Sequence, residues 1–102
     1  MSGFTSIHVD DFGWLAQLTI VQDDVAVDIS SYTTRQFVFR KPDATEVTKT
    51  AVFDSDGTDG VLDYTVEDGL IDATGYWGVR AVLTKANAEL TSDTVLFRVA
   101  AR

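Results

Sequence analysis

Hydrophobic and polar residues alternate along most of this chain with a period of two, and almost nowhere with the longer period of a helix. Between Trp14 and Gln22, the residues Trp14, Ala16, Leu18 and Ile20 fall on one side. Successive side chains of a strand point to opposite faces, so this spacing predicts a half-buried strand. Asp23-Asp24 reads as a turn, after which Val25, Val27 and Ile29 share a side. Ser30-Ser31 breaks the run. Residues 34–41 then form a strand with Phe37 and Phe39 inward and Gln36, Val38 and Arg40 outward. Pro42-Asp43 ends it, because proline cannot donate to a ladder and suits the second position of a turn. Residues 46–53 put Val47, Lys49, Ala51 and Phe53 on the more apolar side. A lysine in that phase suits an edge strand, where an inward charge discourages pairing with other chains. Residues 54–60 make a long turn, and Leu62, Tyr64 and Val66 share the next apolar face. A short connection carrying Leu70 and Ile71 lies between Asp68-Gly69 and Thr74-Gly75. Trp77, Val79, Ala81 and Leu83 alternate with Gly78, Arg80, Val82 and Thr84; Lys85 to Leu90 turns the chain; Val95, Phe97 and Val99 alternate with Leu96 and Arg98. About seven strands, with turns every ~8–12 residues, predict an all-β chain folded as a sandwich of antiparallel strands.

Composition agrees. Val 13, Thr 13 and Ile 4 supply β-branched side chains that fit a pleated surface, and 13 of the 16 acidic residues are Asp, a turn former, against only 3 Glu. The chain has 102 residues, enough for one domain with a feasible core. That core is expected to hold Leu18, Ile20, Phe37, Phe39, Leu62, Tyr64, Trp77, Val79, Phe97 and Val99. Cysteine is absent, so neither disulfides nor thiolate metal sites contribute. The net charge of −8 repels phosphate backbones and anionic headgroups, which argues against nucleic acid and membrane as partners. Met1 to Ser6 lacks the basic start and apolar stretch of a secretory signal.

Candidate chemistry is sparse. Asp54-Ser55-Asp56-Gly57-Thr58-Asp59-Gly60 resembles a fragment of a calcium loop, but its glycine and carboxylate spacing does not fit an EF-hand. It reads instead as a turn shaped by Asp side chains and glycine. His8 is the single histidine and has no positioned partner in the sequence. Asp10-Asp11 and Asp23-Asp24 are adjacent pairs that do not converge on one substrate atom. No catalytic, metal-ligating or cofactor-binding residue is expected.

Two groups of residues are candidates for a partner interface. Arg80 and Arg98 fall on the outward phase of the two clearest strands, beside Val82 and Leu96. An apolar centre with an arginine rim is a common interface composition, although cross-strand surface pairing would also account for these residues. The second group is Phe4, Ile7, Val9 and Phe12, which lack clean alternation. Residues 1–13 are therefore either a docking arm or a first edge strand, ahead of a domain at residues 14–102.

Three strings resemble a known family. Phe37-Val38-Phe39-Arg40-Lys41-Pro42-Asp43 is similar to a strand followed by a Lys-Pro-Asp-Gly turn in small phage structural domains. Gly57 to Thr65 resembles their step from Thr-Asp-Gly through an aliphatic residue to Tyr-Thr, and Gly75-Tyr76-Trp77 resembles the approach to their penultimate strand. The family is that of immunoglobulin-like domains at the N-terminus of phage upper-baseplate proteins, also found as single-domain virion proteins, and the similarity covers roughly residues 14–99. Ala44 departs from it, standing where the family has glycine. Residues 1–102 include no fibre or receptor-binding segment, so the expectation is a module that attaches or decorates and not a complete receptor-binding protein. The resemblance thus implies an immunoglobulin-like fold and a non-enzymatic virion protein of a tailed bacteriophage. It would be made in the host cytoplasm and docked at the tail tip, baseplate or fibre attachment site. Its partners would be other virion proteins or further copies of itself. Capsid decoration is the alternative placement. A carbohydrate-binding module is the alternative of another class, and it would need coplanar exposed rings from Tyr32, Tyr76 or Trp14.

Overall fold

The computed structural model describes residues 7–101 and shows an all-β chain, with no helix among them. In chain order the strands are β1 (Ile7–His8), β2 (Leu15–Thr19), β3 (Val21–Gln22), β4 (Val25–Ala26), β5 (Thr34–Arg40) and β6 (Glu46–Thr50). They are followed by β7 (Val52–Phe53), β8 (Val61–Thr65), β9 (Gly75–Lys85), β10 (Ala88–Thr91) and β11 (Val95–Ala100). The larger sheet runs β1-β11-β9-β5-β6, with β10 also on β9; the smaller runs β2-β8-β7; β3 and β4 form a separate hairpin. Eleven segments thus replace the expected seven or so: the 14–22 and 46–53 runs are each divided in two, and β1 and β10 are added.

The divisions have local causes. Asp23 and Asp24 both take positive φ, 53° and 64°. Two such residues make the tight hairpin turn whose twist matches its strands, and Asp tolerates that conformation. Val25 lies on the resulting two-stranded ribbon and is 66% exposed, whereas the expected alternation put it inward; of that run only Ile29 is fully buried. Between β6 and β7 the chain changes sheets at Ala51, which is wholly buried and whose N–H is taken by the Arg35 carbonyl at 2.9 Å. Residues 88–90, expected to belong to the turn from Lys85 to Leu90, instead join β10 and pair back on β9, with Ala88 opposite Lys85. The β1–β11 pair is parallel, so the strands are not all antiparallel: Ile7 lies opposite Val99 and both face inward.

Both sheets contribute to one core. Ala16, Leu18 and Ile20 from the β2 run and Leu62 and Val66 from the β8 region join Phe37, Phe39, Trp77, Val79, Ala81, Leu83, Phe97 and Val99 from the larger sheet. Of the ten expected core residues nine are buried; Tyr64 is half-buried, because its hydroxyl donates to Glu67 at the surface. Desolvation, with the Glu67 carboxylate adding to it, pushes the Tyr64 hydroxyl up to about 12. Val38, expected outward, is buried at the centre of the sheet between Thr48 and Arg80 in the ladder. Lys49 lies on β6, an edge of the larger sheet, and reaches Glu67 at 2.9 Å.

Candidate docking surface

The outward face of the larger sheet is set by register. Arg98 stands opposite Tyr76, Leu96 opposite Gly78, Gly78 opposite Arg40, and Arg80 opposite Val38. Residues opposed in this way share a face, so Arg40, Tyr76, Arg80, Leu96 and Arg98 form one surface. Leu96 is 71% exposed and Tyr76 69%, two large apolar side chains left in water beside one another's strands. Gly78 lies between them for a steric reason: a Cβ there would come within 2.8 Å of the Thr94 methyl and 3.6 Å of a Leu96 methyl. Its missing side chain lets Thr94 and Leu96 lean across β9.

Charge separates on the same surface. Three of the chain's eight basic residues, Arg40, Arg80 and Arg98, stand on this face. Arg80 is tied to Glu46 on the edge strand at 2.8 Å, which lowers the Glu46 carboxyl below its ordinary range. Arg40 stands opposite the same Glu46 in the ladder and its charge adds to that lowering, whereas no ion pair among the described residues involves Arg98. The acidic residues concentrate in the turns, at positions such as Asp23, Asp24, Asp56, Asp59 and Asp68.

The candidates named from sequence divide accordingly. Arg80, Leu96 and Arg98 come together on this face, with Val82 half-buried on the same phase of β9. Ile7 and Val9 do not. Ile7 is buried in the chain's own core, and Val9 packs against that core and donates to the Ala100 carbonyl at 2.9 Å. The parallel pairing with β11 turns these side chains inward, so they offer a partner no surface. Phe12 is 62% exposed but sits in the connection between β1 and β2. Phe4 lies outside the described residues. Arg40 and Tyr76 were not among the interface candidates. The alternation that marked Arg80 also put Tyr76 outward, but only the ladder shows Arg40 level with Leu96 across Gly78.

The other candidate features resolve into local structure. In the 54–60 loop, Asp56 accepts from the Thr58 N–H at 3.0 Å and hydroxyl at 2.7 Å, and Asp59 accepts from the Val61 N–H at 3.2 Å. Gly60, at φ 75°, approaches the carbonyls of Ile20 and Val27 so closely that a Cβ would sit 2.8 Å from each. Asp54 faces Asp63, whose carboxylate also accepts from the Gln17 side-chain amide at 2.9 Å; the shared hydrogen bond and then the negative charge of Asp63 push the Asp54 carboxyl up. His8 is exposed, and its backbone N–H donates to Asp11 at 2.9 Å.

The described residues thus form a small all-β domain with an exposed Leu-Tyr-Arg face and acidic turns. Residues 15–102 match the family of BppU N-terminal domains, the N-terminal domains of baseplate upper proteins, and the chain belongs to that family. It is thus a phage baseplate-associated structural domain, and a virion location and contacts with other virion proteins follow from that membership. No curated protein matches the chain.

Proposed function

We propose that this domain is a non-enzymatic attachment module with an immunoglobulin-like arrangement of its sheets, and that it docks on a neighbouring baseplate or tail-tip subunit through the outer face of its larger sheet. The observation that carries the proposal is the cluster of Leu96, Tyr76, Arg98 and Arg40 on one face of a domain of net charge −8. Aromatic, aliphatic and arginine side chains dominate the energetics of protein interfaces, and arginine pairs well with carboxylates. The partner is therefore a protein surface with carboxylates around an apolar centre. The alternative of sugar binding finds less support, since Lys85 covers the Tyr32 ring at 4.6 Å and Trp14 meets Phe97 edge-on at 6.2 Å. Tyr76 remains exposed beside Arg98. Decoration of the capsid would use the same face on another subunit.

The double variant Leu96→Ser with Arg98→Glu is the test. It alters only exposed positions, so the melting temperature is expected to stay unchanged while incorporation into assembled particles, read by mass spectrometry of purified virions, falls sharply. Normal incorporation would place the docking surface elsewhere.

A further inference from the structure

Among the described residues, the second sheet has an edge that no other strand covers. Trp14 accepts from the Val66 N–H at 2.9 Å, and Ile20 donates to the Gly60 carbonyl at 2.8 Å while its own carbonyl accepts from the Val27 N–H at 2.9 Å, so within β2 it is Ala16 and Leu18 that spend their backbone groups on the β8 side. In an antiparallel ladder the intervening residues then direct theirs the other way. Those residues are Leu15, Gln17 and Thr19, and β2 is the terminal strand of its sheet. The other sheet termini are blunted. β1 and β7 have two residues each, β6 carries Glu46 and Lys49, and β10, which pairs only with β9, carries Glu89. The run from Phe12 to Gln22, by contrast, contains neither a charge nor a proline. Long uncharged edges invite pairing with other chains and are normally suppressed in natural proteins.

This edge also borders a cavity of about 380 Å³ between the sheets, with Leu18, Ile20, Val27, Leu90 and Val95 in its lining and Asp93 as its charged residue. Glu89, Asp23 and Asp24 adjoin the lining positions, and no Lys or Arg is among them. We infer that β2 is a docking rail for an extended segment of another protein, which adds as a strand beside Leu15–Thr19, sends alternate apolar side chains into the cavity and carries lysine or arginine for the acidic rim. Strand addition takes its affinity from main-chain hydrogen bonds and its selectivity from pockets for alternate side chains, and this flank supplies both. A second copy of this chain fits poorly, because edge-to-edge pairing would bring two acidic flanks together. That the donor is a virion subunit rests on the baseplate reading above; the strand addition itself does not.

The probe is a seven-residue capped peptide in which valine alternates with lysine and threonine, titrated into isotope-labelled protein. The Leu15, Gln17 and Thr19 amides are expected to gain protection from hydrogen exchange. A counterpart with glutamate in place of lysine is expected to bind about tenfold more weakly or worse. Thr19→Pro removes one outward N–H, at an edge position that tolerates proline, and is expected to abolish the protection; Thr19→Lys, which keeps the N–H but charges the rail, serves if the proline variant fails to fold. No protection at millimolar peptide, or equal binding of the glutamate peptide, would overturn the inference. So would a concentration-dependent dimer that Thr19→Lys dissolves, since the occupant would then be a second copy. Absence of the chain from purified virions would count against the baseplate reading alone and leave the peptide result standing.

Discussion

Ala44 gives the sharpest test of the backbone reasoning. It adopts φ 73°, and the other non-glycine residues with positive φ among those described are Asp10, Asp23, Asp24 and Asn87, types whose short polar side chains tolerate this region. Alanine has no such compensation. The turn nevertheless holds it there: Ala44 N–H donates to the Lys41 carbonyl at 2.9 Å, Lys41 N–H to the Thr45 carbonyl at 2.8 Å, and Thr45 N–H to the Asp43 carboxylate at 2.9 Å. The left-handed conformation costs a residue with a Cβ about 1–2 kcal/mol. Glycine would remove that cost but add about 0.4–1 kcal/mol of unfolded-state entropy. Because Ala44 is exposed, no buried contact is lost. The balance is a net gain of about 0.5–1 kcal/mol for Ala44→Gly, estimated from those two terms. At an unfolding entropy of roughly 2.1 cal/mol/K per residue, a chain of this size should melt about 2–5 °C higher. Differential scanning calorimetry of the two proteins, with Ala44→Val as a control expected to melt lower, reads this directly. An Ala44→Gly protein that melts at or below the parent temperature would refute the claim that the turn stores strain.

Three further outcomes are expected. Phe39→Ala should cost about 3–5 kcal/mol by chemical denaturation, since Phe39 is fully buried with the Phe37 and Tyr64 rings 6.3 and 5.9 Å away, and a loss below about 1 kcal/mol would mean its environment can collapse or was never close-packed. Asp54→Asn should raise the melting temperature at neutral pH. The folded carboxyl is pushed above its unfolded value, so its ionisation opposes folding once the pH exceeds the folded pKa, and the advantage of the amide should shrink as pH falls through the carboxyl range; an advantage independent of pH would contradict this. Excess EDTA should leave the melting temperature unchanged, because Asp56 and Asp59 are engaged with the N–H groups of their own loop, and a calcium-dependent rise of several degrees would show a ligand bound to the folded state.

Alternation alone determined most of the core of this protein. A strand's side chains can face only two ways, so once Phe37 and Phe39 or Trp77 and Val79 shared a phase, their burial together required only that the strands form. The turn chemistry was equally local at Asp23-Asp24 and Pro42, which act within a few residues, whereas Gly60 is required by the Ile20 and Val27 carbonyls that only the fold brings against it. Pairing between strands was not local, and it decided the rest. Nothing in Ile7 or Val9 shows that they will lie in parallel beside β11, which is about ninety positions away in the chain. For that reason an arm and an edge strand could not be told apart. The same holds for Arg40, which reaches the level of Leu96 only through the ladders that join β5 to β9 and β9 to β11. Which edge stays open is likewise a property of the assembled sheets. The uncharged run around β2 is visible in the sequence, but its meaning depends on β8 occupying one side and, among the described residues, no strand occupying the other.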